Sequence, residues 1–179
     1  MKIDAPIITR DPSDAAELSS KIEASGFDGL CTFEGPHEPF LPLAVAASNT
    51  KKINLITSIA IAFARNPMLL ANIGYDLQLL SKGRFIMGLG SQIKPHIEKR
   101  FSMPWSSPAN RMREMIQAIK SIWECWEKGT QLNFKGEFYS HTLMTPLFNP
   151  GKHEYGLPSI YLAGVGPLMT CVAAEVADG

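Results

Sequence analysis

Residues 66–90 read NPMLLANIGYDLQLLSKGRFIMGLG. Asn66-Pro67 is a helix start, because the Asn side chain can accept a free first-turn amide and proline suits the first helical position. Leu69, Leu70, Ile73, Leu77 and Leu80 keep helical spacing until Lys82-Gly83. Arg84 to Leu89 is then a short apolar run, a buried strand that leaves through Gly88-Leu89-Gly90. The chain here passes from a capped helix straight into a buried strand with a glycine exit.

The same alternation continues on both sides. Upstream, Ile3 to Ile8 is an apolar run, Asp11-Pro12 opens a helix carrying Leu18 and Ile22, and Gly26 stops it. Gly29 to Phe33 reads as a second strand, Pro39 to Asn49 as an alanine-rich helix, and Ile53 to Phe63 as a third strand with a long exit loop. Downstream, residues 91–108 read as a loop with three prolines. Ser107-Pro108 starts a helix whose Met112, Met115, Ile116, Ile119, Trp123 and Trp126 share one face. Leu132 to Tyr139 reads as a small hairpin turning at Lys135-Gly136. Residues 144–158 read as a loop, Ile160 to Ala163 as the fifth main strand, and Leu168 to Ala177 as a last helix. Strands alternating with helices predict an α/β fold with a parallel sheet and right-handed crossovers. The whole of residues 1–179 is one domain on this reading.

Composition fits a folded globular chain. The 179 residues carry 17 basic and 17 acidic side chains, 45% hydrophobic and 19% charged residues. A balanced charge with only paired lysines or arginines gives no nucleic-acid surface. The longest apolar run, Ile59 to Ala64, is far short of the roughly 20 residues of a spanning helix, so no membrane is expected. Cys31, Cys125 and Cys171 are too few and too scattered for a disulfide framework, and no signal peptide is read at Met1. A cytoplasmic setting is expected.

In parallel α/β folds ligands gather at the C-terminal ends of strands. That rule selects Glu34 and His37, Arg65, Ser91, Gln92 and His96, and two glycine turns, Gly88-Leu89-Gly90 and Gly164-Val165-Gly166-Pro167. The first turn can bring backbone close to an anion or flat ring, or is simply a tight strand exit. The second lies between a strand and a helix whose free amides could face a phosphate, or is a plain loop with a proline-started helix. Glu34 ends an apolar strand, where a carboxylate needs a donor; it either meets a ligand or pairs with an arginine. His37 can act as general acid or base, or sit on the surface. His96, His141 and His153 lack metal-ligand spacing, so no metal is expected.

The ordered series Gly26-Phe27-Asp28-Gly29-Leu30, Thr57-Ser58-Ile59, Arg65-Asn66-Pro67, Ser81-Lys82-Gly83-Arg84-Phe85 through Gly90, and Ala174-Glu175-Val176-Ala177-Asp178-Gly179 resembles the bacterial luciferase-like monooxygenase superfamily. The resemblance is nearer to its branch of oxidoreductases using the deazaflavin coenzyme F-420. It implies a TIM-barrel-type (β/α)8 fold with FMN or F-420 at the C-terminal mouth. The pattern stops at Asp178-Gly179, where the family enters its sixth strand, so the expected fold is an incomplete barrel of about five βα units with a hairpin insertion. By resemblance, Ser58-Ile59 carries a cis peptide behind the ring. Gly88, Gly90 and Ser91 contact the cofactor, Gly164, Val165 and Gly166 form a backbone phosphate site, and Glu34 stands beside the ring. Members acting on a sugar phosphate have a histidine directly after that acid, where this chain has Gly35, with His37 offset by two. They also have a glutamate after the glycines of the fourth strand, where this chain has Ser91-Gln92, so sugar-phosphate chemistry is not expected.

The resulting expectation is an enzyme: a flavin- or deazaflavin-dependent oxidoreductase moving hydride between cofactor and a small organic substrate, with Glu34 and His37 as catalytic candidates. The alternative is a non-catalytic, truncated or split flavin-binding half-barrel acting through self-association. A third reading is a five-stranded flavodoxin-like module with helices on both faces. A partial barrel would leave an uncovered apolar face and two open edges, so a homo-oligomer is expected.

Overall fold

The computed structural model describes residues 1–179. The elements in chain order are β1 (Asp4–Pro6), α1 (Ala15–Ala24), β2 (Gly29–Thr32), α2 (Phe40–Asn49), β3 (Asn54–Thr57), β4 (Ala60–Ile61), α3 (Pro67–Leu80), β5 (Phe85–Gly90), α4 (Pro108–Lys128), β6 (Phe134–Lys135), β7 (Ser140–His141), β8 (Ser159–Leu162) and α5 (Pro167–Val176). The expected caps form. Asp11 accepts the Ser13 amide ahead of α1, and Asn66 accepts the Leu69 amide at the start of α3.

One parallel sheet runs β1-β2-β3-β5-β8, with the short β4 also pairing β5 through Ala60 opposite Leu89. This spatial order follows chain order without reversal, and consecutive helices α1 to α5 pack on one another. A doubly wound module would reverse its strand order and split its helices between two faces. The flavodoxin-like reading is therefore corrected: the chain has five βα units of a TIM-barrel-type fold.

Burial along the strands shows the same one-sided sheet. Leu55 and Thr57 are buried while Asn54 and Ile56 are half-buried, and Ile160 and Leu162 are buried while Ser159 and Tyr161 are exposed. The helices cover one face, and a single core fills the space between, with the α4 stripe from Met112 to Trp126 wholly inside it. The other face is more open, with Cys31, Ile56 and Ile86 only half-buried and Tyr161 exposed.

Local departures from the sequence reading each have a cause. The run from Ile53 to Phe63 is not one strand: β3 stops at Thr57, the Ser58–Ile59 peptide is cis, and β4 rejoins the sheet at Ala60. The 91–108 loop contains a wide helical turn over His96–Arg100, closed by the Phe101 amide on the His96 carbonyl and anchored by buried Ile97. The hairpin is shifted towards the C-terminus, pairing Phe134 with His141. The carboxylate of Glu114 on α4 accepts the amides of Glu137, Phe138 and Tyr139, which fixes the turn over 136–139. Finally, the far edge of β8 is not bare. The Asp178 amide donates to the Ile160 carbonyl at 2.8 Å and the Leu162 amide to the Gly179 carbonyl at 2.9 Å, so residues 178–179 cover part of that edge.

Candidate functional site

All five main strands point their C-terminal ends the same way, which gathers the loops after β2, β3, β5 and β8 at one mouth. There a cavity of about 670 Å³ is lined by Ile59, Gly90, Ser91, Lys94, Trp105 and the 165–169 segment, among others. Its size suits a cofactor or drug-sized ligand. The walls are mostly apolar, and Lys94 is the one charged side chain among them.

Two glycines of β5 pack closely, and only Gly90 belongs to the cavity floor. A Cβ on Gly90 would stand 2.9 Å from the side chain of Ile59, so bare backbone lies flush against that residue. Gly88 is different: a Cβ there would stand 1.8 Å from the Thr57 carbonyl oxygen, inside the sheet. Thr57 Oγ1 also bonds both the amide and carbonyl of Gly88, so this glycine serves the contact between β3 and β5.

The wall opposite is the start of α5. Gly166 has φ +82, a conformation closed to residues with a side chain, and no side chain caps the helix after it. Pro167 supplies no amide, so the amides of Leu168 and Met169 are the first that could meet a ligand. Gly164 packs on Thr170 behind this turn and lies outside the cavity lining, whereas Val165 and Gly166 line it.

Glu34 lies behind the floor. Its amide donates to the Ile59 carbonyl at 3.1 Å, and its carboxylate accepts the Ile61 amide and Arg65 Nη1, both at 2.7 Å. Arg65 also donates to Glu38, whose other oxygen accepts the first amides of α2. The Glu34 side chain is only 6% exposed and is committed to this network. Arginine pairing, one of the two outcomes open for Glu34, is what the structure shows. His37 lines a second cleft of about 300 Å³ with Ile8, Thr9, Arg10 and Phe33. The geometry therefore brings Ile59, Gly90, Ser91, Val165 and Gly166 to one cavity. It places Ser58, Glu34, Gly88 and Gly164 behind it and His37 apart from it. No group of three or more His, Cys, Asp or Glu side chains is arranged to hold a metal ion.

Sequence reading missed Trp105, Pro108, Ala109, Leu168 and Met169 as lining residues. The last two follow directly from the glycine turn and could have been found by continuing into the helix. Trp105 sits in an irregular stretch with no periodicity to mark it.

The family model for luciferase-like monooxygenases matches residues 3–179. The chain belongs to this family. An uncharacterized protein of Mycobacterium tuberculosis is 56% identical over 165 residues, covering 92% of this chain and 48% of that protein. A putative coenzyme F-420-dependent oxidoreductase of the same organism is 29% identical, covering 94% of this chain and 50% of that one. The chain thus spans about half the length of the curated relatives it matches. Among solved structures, the oxygenating constituent of 3,6-diketocamphane monooxygenase from Pseudomonas putida, in complex with FMN, superposes with a TM-score of 0.73. That comparison has 17% identity and covers 92% of this chain and 52% of the other, so it speaks to the fold. No helix is long and apolar enough to cross a membrane.

Proposed function

We propose that this chain carries the ring and phosphate site of a flavin- or deazaflavin-dependent oxidoreductase, with F-420 or FMN as cofactor and a small organic molecule as substrate. The observation that carries this is the cavity at the strand ends. It combines an apolar floor of Ile59 against bare Gly90 backbone with the uncapped start of α5 and Lys94. These features fit a flat heteroaromatic ring whose side chain carries a phosphate group. When bound, that cofactor supplies the hydride chemistry. The residues of this chain hold and orient it. Ile59 and Gly90 support one side of the ring, Ser91 offers a hydroxyl at its edge, and the amides of Leu168 and Met169 receive the phosphate. Glu34 keeps the floor in place through Ile61 and Arg65. His37, which lines the separate cleft, takes no part in this site.

Titration of the chain with F-420 and with FMN, followed by fluorescence and visible absorbance, tests the reading. Saturable one-to-one binding of at least one is expected; no binding of either at the highest soluble concentrations overturns it.

The reading includes self-association as a homo-oligomer. Phe33 and Tyr161 are exposed apolar side chains, and β1 lies at a sheet edge with Asp4 and Pro6 exposed. Light scattering at micromolar concentration should give more than the monomer mass. A cytoplasmic setting accords with three unpaired cysteines.

A further inference from the structure

Trp105 helps form the cavity wall, yet residues 102–107 belong to no helix or strand. Arg111, one turn into α4, is what reaches this stretch. It is 7% exposed, and none of the ion pairs in the molecule involves it. Its Nη1 donates to the Pro104 carbonyl, immediately before Trp105, and its Nε donates to the Tyr139 hydroxyl at 2.9 Å. The guanidinium carbon lies 5.2 Å from the centre of the Phe63 ring and 5.6 Å from that of Tyr139. Phe63 in turn meets Trp105 edge to face, with centroids 5.7 Å apart and planes at 77°. One side chain therefore holds both the backbone leading into Trp105 and the ring against which Trp105 rests.

A buried guanidinium without a carboxylate is costly, and an apolar side chain of similar volume would fill the space with less desolvation. What arginine adds is a planar fork that bonds two acceptors while stacking on aromatic faces. That combination fixes geometry rather than maximising stability.

We propose that Arg111 is a positioning residue that locks Trp105 into the cavity wall and so sets how closely a flat heteroaromatic ring is held. The identity of that ring rests on the cofactor reading above; the locking of Trp105 does not.

The molecule offers a direct probe. Trp123 and Trp126 are 1% and 2% exposed, so iodide quenching of the ligand-free chain reports mainly on Trp105. Arg111→Met should increase iodide quenching and shift tryptophan emission to the red, with Arg111→Lys falling between it and the wild type. The dissociation constant for whichever of F-420 or FMN binds should rise about tenfold in Arg111→Met. Trp105→Ala should weaken binding similarly, and Arg111→Met added to it should weaken binding no further. Should Arg111→Met fail to fold, Tyr139→Phe removes one acceptor only and should show the same changes in smaller degree. Unchanged iodide quenching in the arginine variants, or in Tyr139→Phe where it replaces them, overturns the proposal. If the wild type binds neither F-420 nor FMN, the cofactor reading fails, and the iodide contrast alone decides the role of Arg111.

Discussion

The carboxylate of Glu34 accepts the main-chain amide of Ile61 at 2.7 Å, although 27 residues separate the two in the chain. Ile61 begins the exit from β4, and Ile59, two residues earlier, is the floor of the cavity. The acid at the end of β2 therefore anchors the segment that would support a cofactor ring. Arg65 neutralises it from the far side, with its own side chain 18% exposed.

Removing that acid should loosen the floor. Glu34→Ala strands the Ile61 amide and leaves Arg65 with Glu38 as its remaining acid. The expected loss is about 3 kcal/mol of unfolding free energy, as for breaking a largely buried ion pair. Glu34→Gln keeps an acceptor for Ile61 and should lose about half of that. Urea unfolding measures both. A Glu34→Gln variant with wild-type stability but no turnover would instead place Glu34 at the reacting atoms.

A second carboxylate gives a pH signature away from the cavity. Glu23 accepts the amides of Lys51, Lys52 and Ile53 at the start of β3. Burial alone would raise its pKa, but the three amides outweigh burial and hold it below the ordinary glutamate value of 4.5. A folded-state value below the unfolded one means stability that is fully present above about pH 4.5 and is lost as pH falls through the lowered value. Glu23→Gln should therefore cost about 1 kcal/mol at pH 7. The gap between variant and wild type should close in unfolding curves taken at progressively lower pH below 4.5. A gap constant from pH 7 to pH 3 would show that the charge of Glu23 is not what matters.

Two glycines of similar appearance in the sequence should lose stability for different reasons. Gly88→Ala drives a methyl into the Thr57 carbonyl, which is backbone and cannot move aside, so a loss of about 3 kcal/mol is expected. Gly166→Ala meets no atom within 4 Å, and its cost is conformational, about 1–3 kcal/mol at φ +82. Because Gly166 precedes the amides proposed to hold phosphate, its variant should weaken FMN about tenfold but riboflavin much less. Equal weakening of both ligands would remove phosphate from the role of α5.

The order of elements could be read from the sequence because it is written in local chemistry. Asn66-Pro67 and Asp11-Pro12 start their helices, and the Met112 to Trp126 period marks the face that is buried, each a signal carried by neighbouring residues in the chain. Strand ends were less readable. Ile53 to Phe63 has only Asn54, Thr57 and Ser58 as polar residues, all compatible with a continuous strand, so the break after Thr57 came from the family resemblance. The hairpin was displaced because Glu114, more than 20 residues away in sequence, holds its turn. Long-range partners also decided the site. The rule that ligands gather at strand ends selected Gly90, Ser91, Val165 and Gly166, which line the cavity, and Gly164, which does not. It could not show that Glu34 faces Arg65, or that Arg111 reaches back to the loop of Trp105.

The contact between Gly90 and Ile59 separates stability from binding most cleanly. A methyl at Gly90 would stand 2.9 Å from Cγ1 and Cδ1 of Ile59, the flexible part of a side chain that is only partly buried. Ile59 can yield by rotating, and the space open to it is the cavity it lines. Gly90→Ala should therefore cost little in unfolding, about 1 kcal/mol. The displaced isoleucine would then occupy volume proposed for the ring, so affinity for F-420 or FMN should fall at least tenfold, about 1.4 kcal/mol. Pairing Gly90→Ala with Ile59→Ala, which removes the displaced atoms, should restore part of that affinity. Recovery in the double variant ties the loss to Ile59 in the cavity. A double variant as weak as Gly90→Ala alone would mean that the ring does not rest on Ile59.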